Sequence, residues 1–113
     1  MSFDVTTTRA FVREADILAI RDKSFKADMK DFIESLEKNP MQGDELSPGI
    51  RKIRLAIVSK GKGKSGGARV ITYTICASES EGRVYLVDVY DKSDFSTVSV
   101  SILKKIISEQ GII

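Results

Sequence analysis

Three runs of strand-forming residues follow one another between Arg51 and Tyr90, separated only by a glycine–lysine loop and one tight turn. Such a segment folds most simply as a meander of neighbouring strands. The first run, Arg51 to Val58, alternates: Ile53, Leu55 and Ile57 point one way, Lys52, Arg54 and Ala56 the other. The second, Arg69 to about Cys76, is almost all Val, Ile, Thr and Tyr. The third, Arg83 to Tyr90, places Tyr85, Val87 and Val89 on one face and Leu86, Asp88 and Tyr90 on the other. Glu79 to Gly82 supplies the turn between the second and third runs.

Helical periodicity flanks this meander. Phe25, Met29, Phe32, Ile33 and Leu36 fall on one helical face, with Asp22 or Ser24 available as a cap and Pro40 beyond the end. A weaker helical pattern covers Thr8 to Ile20, and Phe3 to Thr7 reads as an edge strand. Met41 to Gly49 reads as a loop. A last helix is expected after Phe95, with Ser96 as N-cap, Val98, Ile102 and Ile106 repeating at i+4, and Gly111 past its end. Helices beside a strand meander in 113 residues make one α+β domain.

The charge distribution is uneven. From Leu46 to Ser78 there are seven basic residues and no acidic one, whereas the rest of the chain has eleven Lys/Arg against sixteen Asp/Glu. A positive strip on a slightly acidic body suits a phosphate-bearing partner. Lys60, Lys62 and Lys64 alternate with glycines, which let a backbone approach a ligand closely. Lys52 and Arg54 share a strand face and Arg69 opens the next strand, so these cations can converge on one side of the sheet. Lys92 keeps the parity of Asp88 and Tyr90 and is expected on that same side. Tyr73, Tyr85 and Tyr90 offer rings on which bases could stack, although strand tyrosines more commonly pack against a core.

Several chemistries are disfavoured. With no histidine and a single cysteine, a His/Cys metal centre is not expected, and a Ser-His or Cys-His nucleophile pair cannot be built. A P-loop needs a glycine five residues before Gly63 of Gly63-Lys64-Ser65, and that residue is Val58; a strand, not a helix, also follows the loop. Cys76 reads as a small buried residue within an apolar run. No secretory leader and no apolar run of membrane-spanning length is apparent, so a cytoplasmic protein without a membrane partner is expected. No cofactor is called for.

Arg51-Lys52-Ile53-Arg54, then Gly61 through Thr74, then Val84 through Lys92, resemble the RelE/ParE toxin superfamily, and most closely its HigB-like branch. The segment from Gly63 to Ile71 is the most specific part, and the likeness extends over roughly residues 20 to 108. The resemblance implies a RelE-like fold: a central, mainly antiparallel sheet with two N-terminal helices and a C-terminal helix. It further implies the toxin of a type II toxin-antitoxin pair, an mRNA interferase that cuts mRNA on the ribosome and is held in check by a cognate antitoxin, commonly a DNA-binding protein. Arg69 falls on the strand arginine that contacts the reacting phosphate, Lys92 on the basic residue after the third strand, and Lys60, Lys62 and Lys64 in the basic loop.

RNA can be cut by attack of its own 2′-hydroxyl on the adjacent phosphate. The expected working residues are Arg69, Lys92 and Lys64, with Lys52, Arg54, Lys60, Lys62 and Tyr90 binding the RNA. Arg69 suits bidentate contact with phosphate oxygens, and the lysines add positive field. Two alternatives remain open at this level: a ParE-type toxin that binds a target such as gyrase without cutting RNA, and a plain basic module for nucleic acid.

Overall fold

The computed structural model describes residues 3–61, 63, 66–94 and 98–112. Among these, five strands and three α-helices follow in the order β1 (Phe3–Thr7), α1 (Arg9–Arg21), α2 (Phe25–Lys38), β2 (Asp44–Ser47), β3 (Ile50–Leu55), β4 (Ala68–Cys76), β5 (Gly82–Asp91) and α3 (Val100–Glu109). The strands form one sheet, β1-β5-β4-β3-β2, antiparallel except where β1 runs parallel to β5. This is the α+β domain expected, with two helices before the central strands and one after.

The helices divide the sheet into two faces. Phe11 and Leu18 of α1 and Phe25, Met29, Phe32 and Leu36 of α2 pack on one face, against Ile53, Leu55, Val70, Val84, Leu86 and Val89. On the other face, Leu103 and Ile107 of α3 pack on Ile50, Ile71, Val87 and Tyr90. Burying each of these two α3 side chains stabilises the fold by about 1.5–3 kcal/mol. The helix therefore turns inward on Leu103 and Ile107, whereas Ile102 of the expected i+4 stripe is 54% exposed. The cap of α3 is Ser99, and the expected cap Ser96 lies outside the described residues. Gly111 does follow the helix with positive φ, as its position suggested.

A β-bulge decides which side chains share a face. Ile71 of β4 lies opposite Asp88, yet Thr72 lies opposite Leu86, so Val87 is an extra residue. Strict alternation put Tyr85, Val87 and Val89 together. In the structure Val87 packs with Tyr85 and Tyr90 on the α3 face, while Val89 packs on the α1/α2 face. Thr8, the N-cap of α1, is fitted to this irregularity. Its hydroxyl accepts from Phe11 N and lies 3.0 and 3.1 Å from the carbonyls of Leu86 and Val87.

Two local expectations are corrected. The segment Met41 to Gly49 is not all loop: Asp44–Ser47 form β2, closed onto β3 by a turn in which Gly49 takes φ +80°. Cys76, at the end of β4, is exposed because it lies beyond the part of the sheet that the helices cover. Ile112, just past α3, packs against the α3-side core. Among the described residues no helix is long and apolar enough to cross a membrane.

Candidate nucleic-acid interface

Strand pairing brings Arg54, Arg69 and Tyr90 into a single cross-strand row. Arg54 on β3 lies opposite Arg69 on β4, and Arg69 lies opposite Tyr90 on β5. Directly opposed residues of antiparallel strands project to the same face, and Tyr90 fixes that face as the α3 side. The next row on this face is Lys52, Ile71 and Asp88. The convergence of Lys52, Arg54, Arg69 and Tyr90 anticipated from alternation is thus realised by register.

The members of the row differ in depth. Arg54 is exposed and Lys52 half-buried, whereas Arg69 is 6% and Tyr90 5% exposed. One Arg69 terminal nitrogen donates to the Ala68 carbonyl at 3.1 Å. Burial pushes the Tyr90 phenol above its ordinary pKa, the Arg69 guanidinium opposes the rise, and the Asp88 carboxylate adds to it. Tyr90 is therefore a neutral hydrogen-bonding phenol at physiological pH, not a phenolate. Tyr73 and Tyr85 flank the α3-side core as packing residues.

The described lysines and arginines differ in their partners. Lys60 Nζ sits 2.6 Å from Asp91 Oδ2, and Arg21 reaches the same oxygen at 3.8 Å and Asp94 at 2.7 Å. Asp91 lies opposite Ala68, whose neighbours form the α1/α2-side core, so Lys60 is drawn towards the face opposite Arg69. By contrast, Lys52, Arg54 and Lys92 have no carboxylate within ion-pair distance among the described residues. Lys92 is exposed in the turn after β5, and its amide donates to the Gly67 carbonyl at 3.1 Å. That bond sets the turn beside the entry to β4, two residues before Arg69. Lys62 and Lys64 lie outside the described residues.

Two acidic groups near the cluster are perturbed in opposite senses. Burial raises Asp91, but hydrogen bonds from Lys60 and from the Ser93 amide and hydroxyl outweigh it and bring the carboxyl down to about 2. Asp88 is pushed up to about 6, first by burial and then by the nearby Glu14 carboxylate; the Val89 amide and Arg13 only partly offset this. Asp88 lines a cavity of about 290 Å³ with Arg13, Glu14, Tyr90, Val98 and Ile106.

Asp91 is not among the expected working residues, and its carboxylate pairs with Lys60 and Arg21 and not with the adjacent Lys92. Nothing in the string Val-Tyr-Asp-Lys tells which of the nearby lysines its carboxylate will hold, because the partner comes from a loop 31 residues away. No family model matches this chain.

Proposed function

We propose that the protein is a cytoplasmic toxin of the RelE/ParE type, an endoribonuclease that cuts mRNA on the ribosome and is neutralised by a cognate antitoxin. The observation that carries this reading is the facing of Arg54 and Arg69 across β3 and β4. Like charges directly opposed in a sheet are unfavourable, by about 0.2–1 kcal/mol. A bound phosphodiester removes that penalty and turns the pair into a clamp. Arg69 holds the phosphoryl oxygens of the reacting linkage, while Arg54 and Lys52 run along the neighbouring phosphates.

The chemistry follows from that placement. The RNA 2′-hydroxyl gives its proton to solvent and attacks phosphorus, negative charge builds on the phosphoryl oxygens, and the 5′-oxygen departs with a proton from solvent, leaving a 2′,3′-cyclic phosphate. Arg69, in its water-poor setting, stabilises the building charge, and Lys92 adds field from the adjoining turn. Tyr90, kept neutral by burial, is suited to donating a hydrogen bond and not to removing the 2′-hydroxyl proton. With no histidine in the chain, orientation and charge carry most of the rate enhancement.

Inducing the chain alone in bacterial cells and mapping mRNA 5′ ends tests the proposal. New ends within translated regions, accompanying growth arrest, are expected. Arrest with intact mRNA would instead identify a toxin that acts by binding its target, and neither effect would leave a simple nucleic-acid-binding module.

A further inference from the structure

The segment leading into the glycine–lysine loop is stapled at three consecutive residues. Val58 N donates to Asp28 Oδ2 at 2.9 Å, Ser59 N donates to Ser24 Oγ at 2.8 Å, and Lys60 Nζ donates to Asp91 Oδ2 at 2.6 Å. The Ser24 hydroxyl in turn donates to Asp28 at 2.6 Å, so the first turn of α2 grips the segment through a closed set of bonds. The loop's far root is held by the Lys92 amide on Gly67. Asp91 lies between these roots. Its second oxygen accepts from the Ser93 amide at 2.8 Å and the Ser93 hydroxyl at 2.7 Å, which shapes the turn carrying Lys92.

One carboxylate, 2% exposed, therefore joins the entrance of the basic loop to the Lys92 turn. It also uses its charge on Lys60 and Arg21, not on the adjacent Lys92. We infer that Asp91 is a positioning residue: by holding Lys60 and Ser93 it sets Lys92 beside Arg69 and leaves Lys92 free for the RNA phosphate. Lys60 is then a strut and not an RNA contact. The inference deepens the ribonuclease reading and rests on it for its catalytic consequence.

A strut and a substrate contact give different kinetic signatures. Asp91→Asn releases Lys60 and removes one negative charge, so the protein gains net attraction for RNA while losing the placement of Lys92. At mRNA-programmed ribosomes, kcat is expected to fall about tenfold to hundredfold. KM stays level or falls, and the salt dependence of RNA binding steepens by about one counterion. Asp91→Glu, which keeps the charge on a longer stem, is expected to recover part of kcat. Lys60→Met, which removes the strut from the other side, lowers kcat without raising KM. A folded Asp91→Asn protein with unchanged kcat overturns the inference. So does one whose kcat and binding fall together in proportion to its unfolded fraction, or a Lys60→Met protein that raises KM alone.

Amide hydrogen exchange on the full-length wild type and variants keeps the two ideas separable. In Asp91→Asn, exchange at Lys60, Lys92 and Ser93 is expected to speed up while the centre of β4 stays protected. If wild type cuts no RNA but this pattern appears, the ribonuclease reading fails and the joint stands. If exchange at those amides is unchanged, the joint itself is refuted, whatever the RNA result.

Discussion

Arg54 and Arg69 occupy directly opposed positions on β3 and β4, with Tyr90 opposite Arg69 on the third strand of the row. One guanidinium of the facing pair is exposed and the other nearly buried. Sequence local to each strand shows only an arginine on a polar or apolar run. Their meeting, which neither strand shows alone, sets two guanidinium groups side by side on one face of the sheet.

Arg54→Ala relieves the opposed charges at an exposed position. The variant is expected to unfold at the same temperature as wild type or slightly above it, since exposed charge changes shift stability by only about 0.5 kcal/mol. Its affinity for single-stranded RNA falls, and the slope of log K against log salt shrinks by about one. Thermal melts and a salt titration of RNA binding measure both effects on one preparation.

Arg69→Lys separates charge from geometry. A lysine keeps the positive charge but cannot make paired contacts to two phosphoryl oxygens. RNA cleavage is expected to drop by about two orders of magnitude, with binding reduced far less. Equal cleavage by the lysine variant would show that a point charge suffices and that the planar fork is not used.

Asp91 and Asp88 give the stability opposite pH dependences. Asp91 has a folded value of about 2, below the ordinary 3.8. Its contribution, about 2 kcal/mol, is present in full above about pH 5 and is lost as pH falls towards 2. Asp88 has a folded value of about 6, above 3.8. The fold binds its proton more tightly than the unfolded chain does, so stability declines as pH rises from about 4 through 6, by about 1–2 kcal/mol after allowance for partial exposure. Urea unfolding between pH 3 and 8 is expected to show Asp88→Asn flattening the upper limb and gaining stability at pH 7. Asp91→Asn flattens the lower limb and is less stable at pH 7. The same curve for wild type and Asp88→Asn would exclude Asp88 as the origin of the decline.

Gly67 is a packing requirement at the mouth of β4. A Cβ there would run into the Leu55 carbonyl oxygen and lie 3.2 Å from Ala56 Cα. Backbone cannot yield as a flexible side chain can, so Gly67→Ala is expected to destabilise by about 1–3 kcal/mol and to disturb the Lys92–Gly67 bond. By contrast, Gly63 has open space for a Cβ but positive φ, and Gly63→Ala is expected to cost about 1 kcal/mol. Comparing denaturant midpoints of the two variants distinguishes steric from conformational demand.

Most of the elements were legible in the sequence because each has its own periodicity. The α2 pattern placed Phe25, Met29, Phe32 and Leu36 inward, and the structure buries all four. The three central strands were delimited to within a residue or two, apart from β3, which stops at Leu55 where Val58 was expected. What escaped was non-local. β2 carries Asp, Glu and Ser, poor strand formers, and exists because β3 offers it an edge. The extra residue Val87 leaves no trace in composition, yet it reverses the facing of Val89 relative to simple alternation. The inward face of α3 shifted by one residue because its packing partners on β4 and β5 chose Leu103 and Ile107.

By itself, the sequence determined the fold class, the identity of the strands and the concentration of positive charge on β3, β4 and the loop between them, because propensity, periodicity and composition act over a few neighbouring residues. Tertiary structure alone decided which of those charges work together. Register set Arg54 against Arg69 and Tyr90, and chain reversal brought Asp91 to Lys60, 31 positions away. The reason is physical: the energy of a charge depends on what lies within a few ångströms in space, and that neighbourhood is created only when distant segments pack.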